Sequence, residues 1–218
     1  RFIGVARWMK SAIDQGLIGD VYYSECNYFH GIGPSVGQFV WNVKKDGGGS
    51  SLLTAGCHSL DMMLYLSGKQ VEEAFSYTTR NPHPDYAPYE FDPTSVAILK
   101  FSDGTVGKVA SVTDSMQPYG FHMHVFGSHG SLKDDQFHSK KVDGMEENWS
   151  RMGVELVGSG DVAHHPYSEQ FTYYAECLEK GVDGHNNLAS AVETHRAIFA
   201  ADKSAATGKP VRLSEFSR

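Results

Sequence analysis

Gly47-Gly48-Gly49-Ser50-Ser51-Leu52-Leu53-Thr54-Ala55-Gly56-Cys57-His58-Ser59-Leu60-Asp61 carries a titratable histidine onto a helix directly behind a glycine turn. At helical spacing, Leu53, Cys57, Leu60 and Leu64 form one stripe that can enter a core, while Thr54, His58, Asp61 and Tyr65 form the neighbouring stripe. The helix is therefore expected to have a packing side and a polar side with His58 on it. The three glycines permit positive φ and close backbone approach, which leaves room for a ligand at the helix head. They do not make a phosphate loop, which needs Lys followed by Ser or Thr where this chain has Ser50-Ser51. The second cluster, Gly31-Ile32-Gly33-Pro34-Ser35-Val36-Gly37, lacks the spacing of a dinucleotide fingerprint and no helical pattern follows it.

Outward from this stretch, residues 2 to 15 place Phe2, Val5, Ala6, Met9, Ala12 and Ile13 on one helical face, with Gly16 as the stop. Residues 21 to 30 alternate as a strand, and residues 31 to 46 read as an irregular loop feeding the His58 helix. Strands are expected over residues 71 to 79, 94 to 101, 105 to 113, 121 to 126 and from 130 onward, with a tight turn at Ser102-Asp103-Gly104. Being sequential and closely linked, they predict an antiparallel meander with helices on one face, an α+β fold. Residues 138 to 165 show weak periodicity, enough for one or two short strands beside a long loop. Two helices follow: residues 168 to 180, with Phe171, Tyr174, Ala175 and Leu178 on one face, and residues 187 to 207, carrying Leu188, Ala191, Val192, His195, Phe199 and Asp202. No internal repeat is present.

The 218 residues are 40% hydrophobic and contain no apolar run near the ~20 residues of a membrane span. One large domain is expected, and a start at Arg1 rather than Met suggests a fragment. A net charge of −7 argues against a nucleic-acid partner, which needs a basic surface. Cys26, Cys57 and Cys177 are odd in number and contain no Cys-x-x-Cys pair, so neither a disulfide framework nor a structural zinc site is encoded, and a reducing cytoplasm is the simplest location.

The candidate catalytic residue is His58, whose near-neutral intrinsic pKa suits proton transfer. Thr54 and Asp61 flank it on the same stripe; Thr54 could meet a substrate, and Asp61 could bind, orient or cap. Cys57, on the apolar stripe, reads as an inert buried thiol. His122 and His124 could share a metal, but the pattern supplies no third ligand. His164-His165-Pro166-Tyr167 stands where a loop meets a helix, and His165 and Tyr167 are candidate substrate contacts. The aromatics Tyr22, Tyr23, Tyr28 and Phe29 fit either a sugar-stacking wall or a packed sheet face.

Gly47-Gly48-Gly49, the short apolar run, Gly56-Cys57-His58 and Asp61 resemble the active-site helix of the Gfo/Idh/MocA oxidoreductases. The resemblance continues through Asp92-Pro93-Thr94-Ser95 and its hairpin, through Val125-Phe126-Gly127-Ser128-His129-Gly130-Ser131-Leu132, and to Gly208-Lys209-Pro210-Val211. It implies a C-terminal domain like that of dihydrodipicolinate reductase, built on a large, mostly antiparallel open sheet, without the family's N-terminal Rossmann domain. It also implies NAD or NADP as cofactor, held mainly by that other domain, a sugar, cyclitol or related polyol as substrate, and a homo-oligomer assembled through the sheet. In that family His58 would exchange the hydroxyl proton. Two departures stand out: Thr54 occupies a position that is often aspartate, and the family's Glu-Lys-Pro tripeptide does not occur. A non-catalytic ligand-binding or assembly module on the same scaffold, and a histidine-based metal hydrolase, are the alternative readings.

Overall fold

A computed structural model describes residues 1–145, 147–161 and 165–216. The chain opens with α1 (Gly4–Asp14), which buries Val5, Ala6, Met9 and Ala12, the face anticipated from their spacing. Strand β1 (Val21–Phe29), the short α2 (Phe39–Asn42), a π turn (Leu52–Gly56) and α3 (Cys57–Ser67) follow. Next come β2 (Val71–Thr79), β3 (Thr94–Phe101), β4 (Val106–Val112), β5 (Gly120–Gly127), β6 (Gly130–Lys133), β7 (Gln136–Ser139) and β8 (Ser150–Arg151). The chain closes with α4 (Tyr167–Lys180), α5 (Leu188–Thr207) and β9 (Val211–Arg212).

Among the described residues these strands form one nine-stranded sheet in the order β8-β7-β6-β5-β1-β4-β3-β2-β9. The fold is the expected α+β class, a mostly antiparallel open sheet with helices packed on it. The simple meander is corrected at one point. β1 inserts between β5 and β4, antiparallel to the first and parallel to the second. The link between β4 and β5 therefore passes over the end of β1. Crossing two strand spacings requires only about 10 Å, well within reach of that link.

β3 shows why one face is core and the other is not: Ser95, Ala97, Leu99 and Phe101 point inward, while Val96, Ile98 and Lys100 point out. Ala97, Leu99 and Phe101 join α1, α3 and α5 in a single cluster containing Met9, Leu60, Met63, Ile198, Val109 and Val125. Helix α5 starts where Asn187 accepts a hydrogen bond from the Ser190 amide, an N-cap. Its buried stripe is Thr194, Ala197, Ile198 and Ala201 rather than Leu188, Val192 and Phe199, which are exposed. Small residues let the helix lie close to the sheet, so the large ones face away. On α4 the expected apolar face is likewise open: Phe171, Tyr174 and Leu178 are exposed and Cys177 is the buried residue.

Candidate active site

The glycine run combines both properties expected of it: Gly49 takes a φ of +78°, and a Cβ on Gly48 would lie 2.1 Å from the Asn42 carbonyl oxygen. Behind it, Ser50 Oγ accepts from the Leu53 amide at 3.1 Å and donates to Asp202 Oδ2 at 2.7 Å, tying the helix start to α5. Ser51 and Ser111 exchange hydrogen bonds, Ser51 Oγ to Ser111 Oγ at 2.8 Å and Ser111 Oγ to the Ser51 carbonyl at 2.9 Å, pinning the same segment to β4. Between these anchors the backbone winds as a π turn before tightening into α3.

That wide turn redistributes the predicted stripes. An i→i+5 turn contains an extra residue, so positions before it lose their α register with positions after it. Leu52, Ala55, Gly56, Ser59, Leu60, Met62, Met63 and Leu66 are the buried residues, whereas Leu53, Cys57 and Leu64 are only partly covered. Thr54 turns away from His58, its hydroxyl lying 2.9 Å from both Asn42 Oδ1 and the Gly48 carbonyl, and it does not line the His58 cleft. Asp61 is also occupied. Arg1 Nε donates to its Oδ2 at 2.8 Å and Arg1 Nη2 to its Oδ1 at 2.5 Å, with Thr194 Oγ1 donating at 3.2 Å. It too lies outside the cleft lining and acts on His58 through its charge.

His58 lies in a cleft of about 230 Å³ together with His165 and Tyr167, which are distant in sequence. Tyr28, Tyr119, Phe121, Met62 and Gln170 complete much of its wall. Tyr28 comes from β1 and faces Phe121 across the β1–β5 ladder, so sheet register sets the floor. Its ring centroid lies 5.3 Å from that of His58, 5.3 Å from Tyr119 and 5.6 Å from Phe121. His165 Nδ1 donates to the Asp161 carbonyl at 2.8 Å, which leaves Nε2 as an acceptor when the ring is neutral. The His165 ring stacks on Tyr167 at 5.7 Å. His164 lies outside the described residues.

His58 is exposed at the cleft, while its ring is surrounded by Tyr28 and the other wall residues. Burial is accordingly the main reason its pKa falls below the ordinary histidine value; the nearby His165 charge lowers it further and Asp61 opposes both. A neutral imidazole can accept a proton. Burial pushes the Tyr28 phenol far upward and raises Tyr119, so both stay protonated donors. Cys57 is held up at about 11, chiefly by burial, and is an unreactive thiol at neutral pH.

His122 pairs with Asp134, Nδ1 to Oδ2 at 3.0 Å, whereas the His124 ring packs tilted against Phe126 with centroids 3.9 Å apart. Among the described residues no group of three or more His, Cys, Asp and Glu side chains is placed to hold a metal, and no helix is long and apolar enough to cross a membrane. The predicted aromatic group divides: Tyr28 enters the cleft, Tyr22 is exposed, and Tyr23 donates to Glu25 Oε2 at 3.0 Å. Tyr119, Phe121 and Gln170 carried no local motif; only strand pairing and the approach of α4 bring them to His58.

Comparison with known proteins gives a consistent family. The chain is 21% identical over 165 residues to YrbE, an uncharacterized oxidoreductase of Bacillus subtilis, covering 76% of this chain and 48% of that protein. Its fold matches an oxidoreductase domain protein from Kribbella flavida with a TM-score of 0.78 at 16% identity, over 96% of this chain and 63% of the other. It also matches a scyllo-inositol dehydrogenase from Lactobacillus casei, solved with NAD(H) and scyllo-inositol, with a TM-score of 0.71 at 16% identity, over 98% and 63%. The chain thus spans about half the length of the curated relative and under two thirds of these structures. The family model described as the GFO/IDH/MocA C-terminal domain matches residues 6–133, more than half of the chain, which belongs to that family.

Proposed function

We propose that this chain is the substrate-binding, catalytic-histidine domain of an NAD(P)-dependent oxidoreductase that moves hydride between nicotinamide and a sugar, cyclitol or related polyol. The observation that carries this reading is the place of His58, its pKa lowered by burial, in a ring-sized cleft walled by aromatic faces and hydrogen-bonding side chains. A polyhydroxylated ring suits such walls, with apolar faces against Tyr28 and Phe121 and hydroxyls toward His165, Tyr167 and Gln170. Reacting carbon and hydroxyl would lie beside His58, which takes the hydroxyl proton during oxidation and returns it during reduction.

The residues at the cleft mouth fit one end of the cofactor. Phe2, Ile3 and Pro166 are shared with an adjoining cavity of about 670 Å³ that also presents Arg7 and Glu169. Those residues would border the nicotinamide end, and bound nicotinamide supplies the hydride acceptor. The chain lacks a glycine fingerprint for the pyrophosphate, so we assign that task to a nucleotide-binding domain elsewhere in the full-length protein. The three free cysteines fit a reducing cytoplasm. The open sheet face, with Tyr77, Val96, Ile98 and Val106 exposed, would be covered by a second copy.

The test is nicotinamide absorbance with full-length protein over a panel of sugars and polyols. His58→Asn should lower kcat by about 10²–10⁴-fold, and equal turnover would remove His58 from the mechanism. Calorimetry on this chain alone should detect no micromolar NAD binding; finding it would overturn the division of labour.

A further inference from the structure

The His58 cleft does not end at Tyr119. That ring is a wall of the cleft and also of a second groove, of about 1000 Å³, bounded by the 31–38 loop, the turn at Asp85 and Tyr86, the 115–117 loop and residues 158–161. Tyr119 is held edge-on between two rings, 5.3 Å and 87° from Tyr28 and 5.5 Å and 81° from His30. It is therefore a partition that borders two ligand-sized spaces. The groove is set before any ligand arrives: Tyr86 donates its hydroxyl to the Ser115 carbonyl at 2.9 Å, and Tyr89 donates to the Ile32 carbonyl at 3.0 Å.

The chemistry of the lining narrows the occupant. Among the described residues no Lys or Arg borders the groove, whereas Asp85 and Asp161 do, so a phosphate or carboxylate would find no counter-charge there. Burial lowers the His30 pKa and so favours the neutral ring, with one donor and one acceptor, and Gln38 and Gln117 add amides. Aromatic faces beside neutral hydrogen-bonding groups suit an uncharged, hydroxyl-rich ring. The cleft at His58, about 230 Å³, lies below the ~300 Å³ lower end of ordinary small-molecule sites. One ring fills it, and Tyr119 is the wall it shares with the groove.

Resting on the sugar or polyol assignment above, we propose that the site accepts a two-ring saccharide, a glycoside or disaccharide, with its reacting ring beside His58 and an uncharged second ring against Tyr119 in the groove. The experiment compares kcat/KM of the full-length protein for glucose, maltose, cellobiose, trehalose and glucose 6-phosphate, together with galactose and lactose. At least one disaccharide should exceed its monosaccharide by about tenfold, equivalent to about 1.4 kcal/mol of added binding, and the phosphate should give no such gain. Gln117→Trp and Ser35→Trp, two exposed positions on different groove walls, should each collapse that ratio toward one. Monosaccharide turnover with no disaccharide preferred, or a preference that survives both variants, would overturn the second subsite. Absence of turnover and of calorimetric binding for every sugar and polyol, with either nicotinamide nucleotide present, would instead overturn the assignment beneath it.

Discussion

Gly56 offers the sharpest test of how the His58 helix is seated. Replacing it by Ala puts a methyl carbon 2.7 Å from Ser111 Cβ, 2.8 Å from Leu52 Cδ2 and 3.0 Å from Ser111 Oγ. Favourable carbon contacts begin near ~3.5 Å, so two of these lie deep in the repulsive range. Neither neighbour can yield easily, since Leu52 is fully buried and Ser111 is bound reciprocally to Ser51. Overpacking of this kind costs about 1–3 kcal/mol, against a gain of about 1 kcal/mol from the better helix propensity of Ala. The clash should prevail, leaving a net loss of up to about 2 kcal/mol, or up to about 8 °C in Tm for a chain of this size. Urea unfolding followed by circular dichroism measures it, and a double-mutant cycle isolates the cause. Ser111→Gly removes the obstructing Cβ, so the pair Gly56→Ala and Ser111→Gly should show favourable coupling of about 1 kcal/mol. Ser111→Ala retains that carbon and should not rescue. A stabilising Gly56→Ala, or an additive cycle, would refute the proposed close packing of this turn on β4.

The pH profile of oxidation should carry an acid limb below the ordinary histidine value. His165→Gln removes a lowering influence and should move that limb to higher pH, whereas Asp61→Asn removes a raising one and should move it lower; shifts in the same direction would contradict the electrostatic picture. Burial raises the Asp202 carboxyl above its ordinary pKa, so its stabilising contribution is present when protonated and lost as pH rises through the folded value. Asp202→Asn should therefore gain stability relative to the parent between acidic and neutral pH, read as urea midpoints, with equal slopes in both proteins as the refuting result. Ile98, on the open sheet face, is 54% exposed; Ile98→Asp should convert an oligomer of full-length protein to a smaller species in sedimentation, and an unchanged assembly would place the interface elsewhere.

What was legible in the sequence was local. Period-2 alternation located β2 and β3, and the 3.6 period with a following glycine located α1, because each element's own side chains carry those signals. The insertion of β1 beside β4 was not legible, since strand order depends on contacts between residues some 80 positions apart. In the site, His58, His165 and Tyr167 came from motif and position, but Tyr119 and Phe121 owe their places to the β1–β5 register. Thr54 illustrates the opposite case. Its spacing from His58 was read at α-helical pitch, and a π turn, which has no clear composition signature, broke that pitch.

The wide turn at Leu52–Gly56 has an implication for how this helix can change. Its extra residue acts as a phase offset between the glycine segment and everything on α3, so the bearing of the imidazole depends on residue count as much as residue identity. Shortening the turn by a single position would swing the downstream helix by about 100° relative to the upstream anchors, carrying the ring out of the cleft even with every other amino acid retained. Substitutions can tune this region, but insertions and deletions would re-aim it.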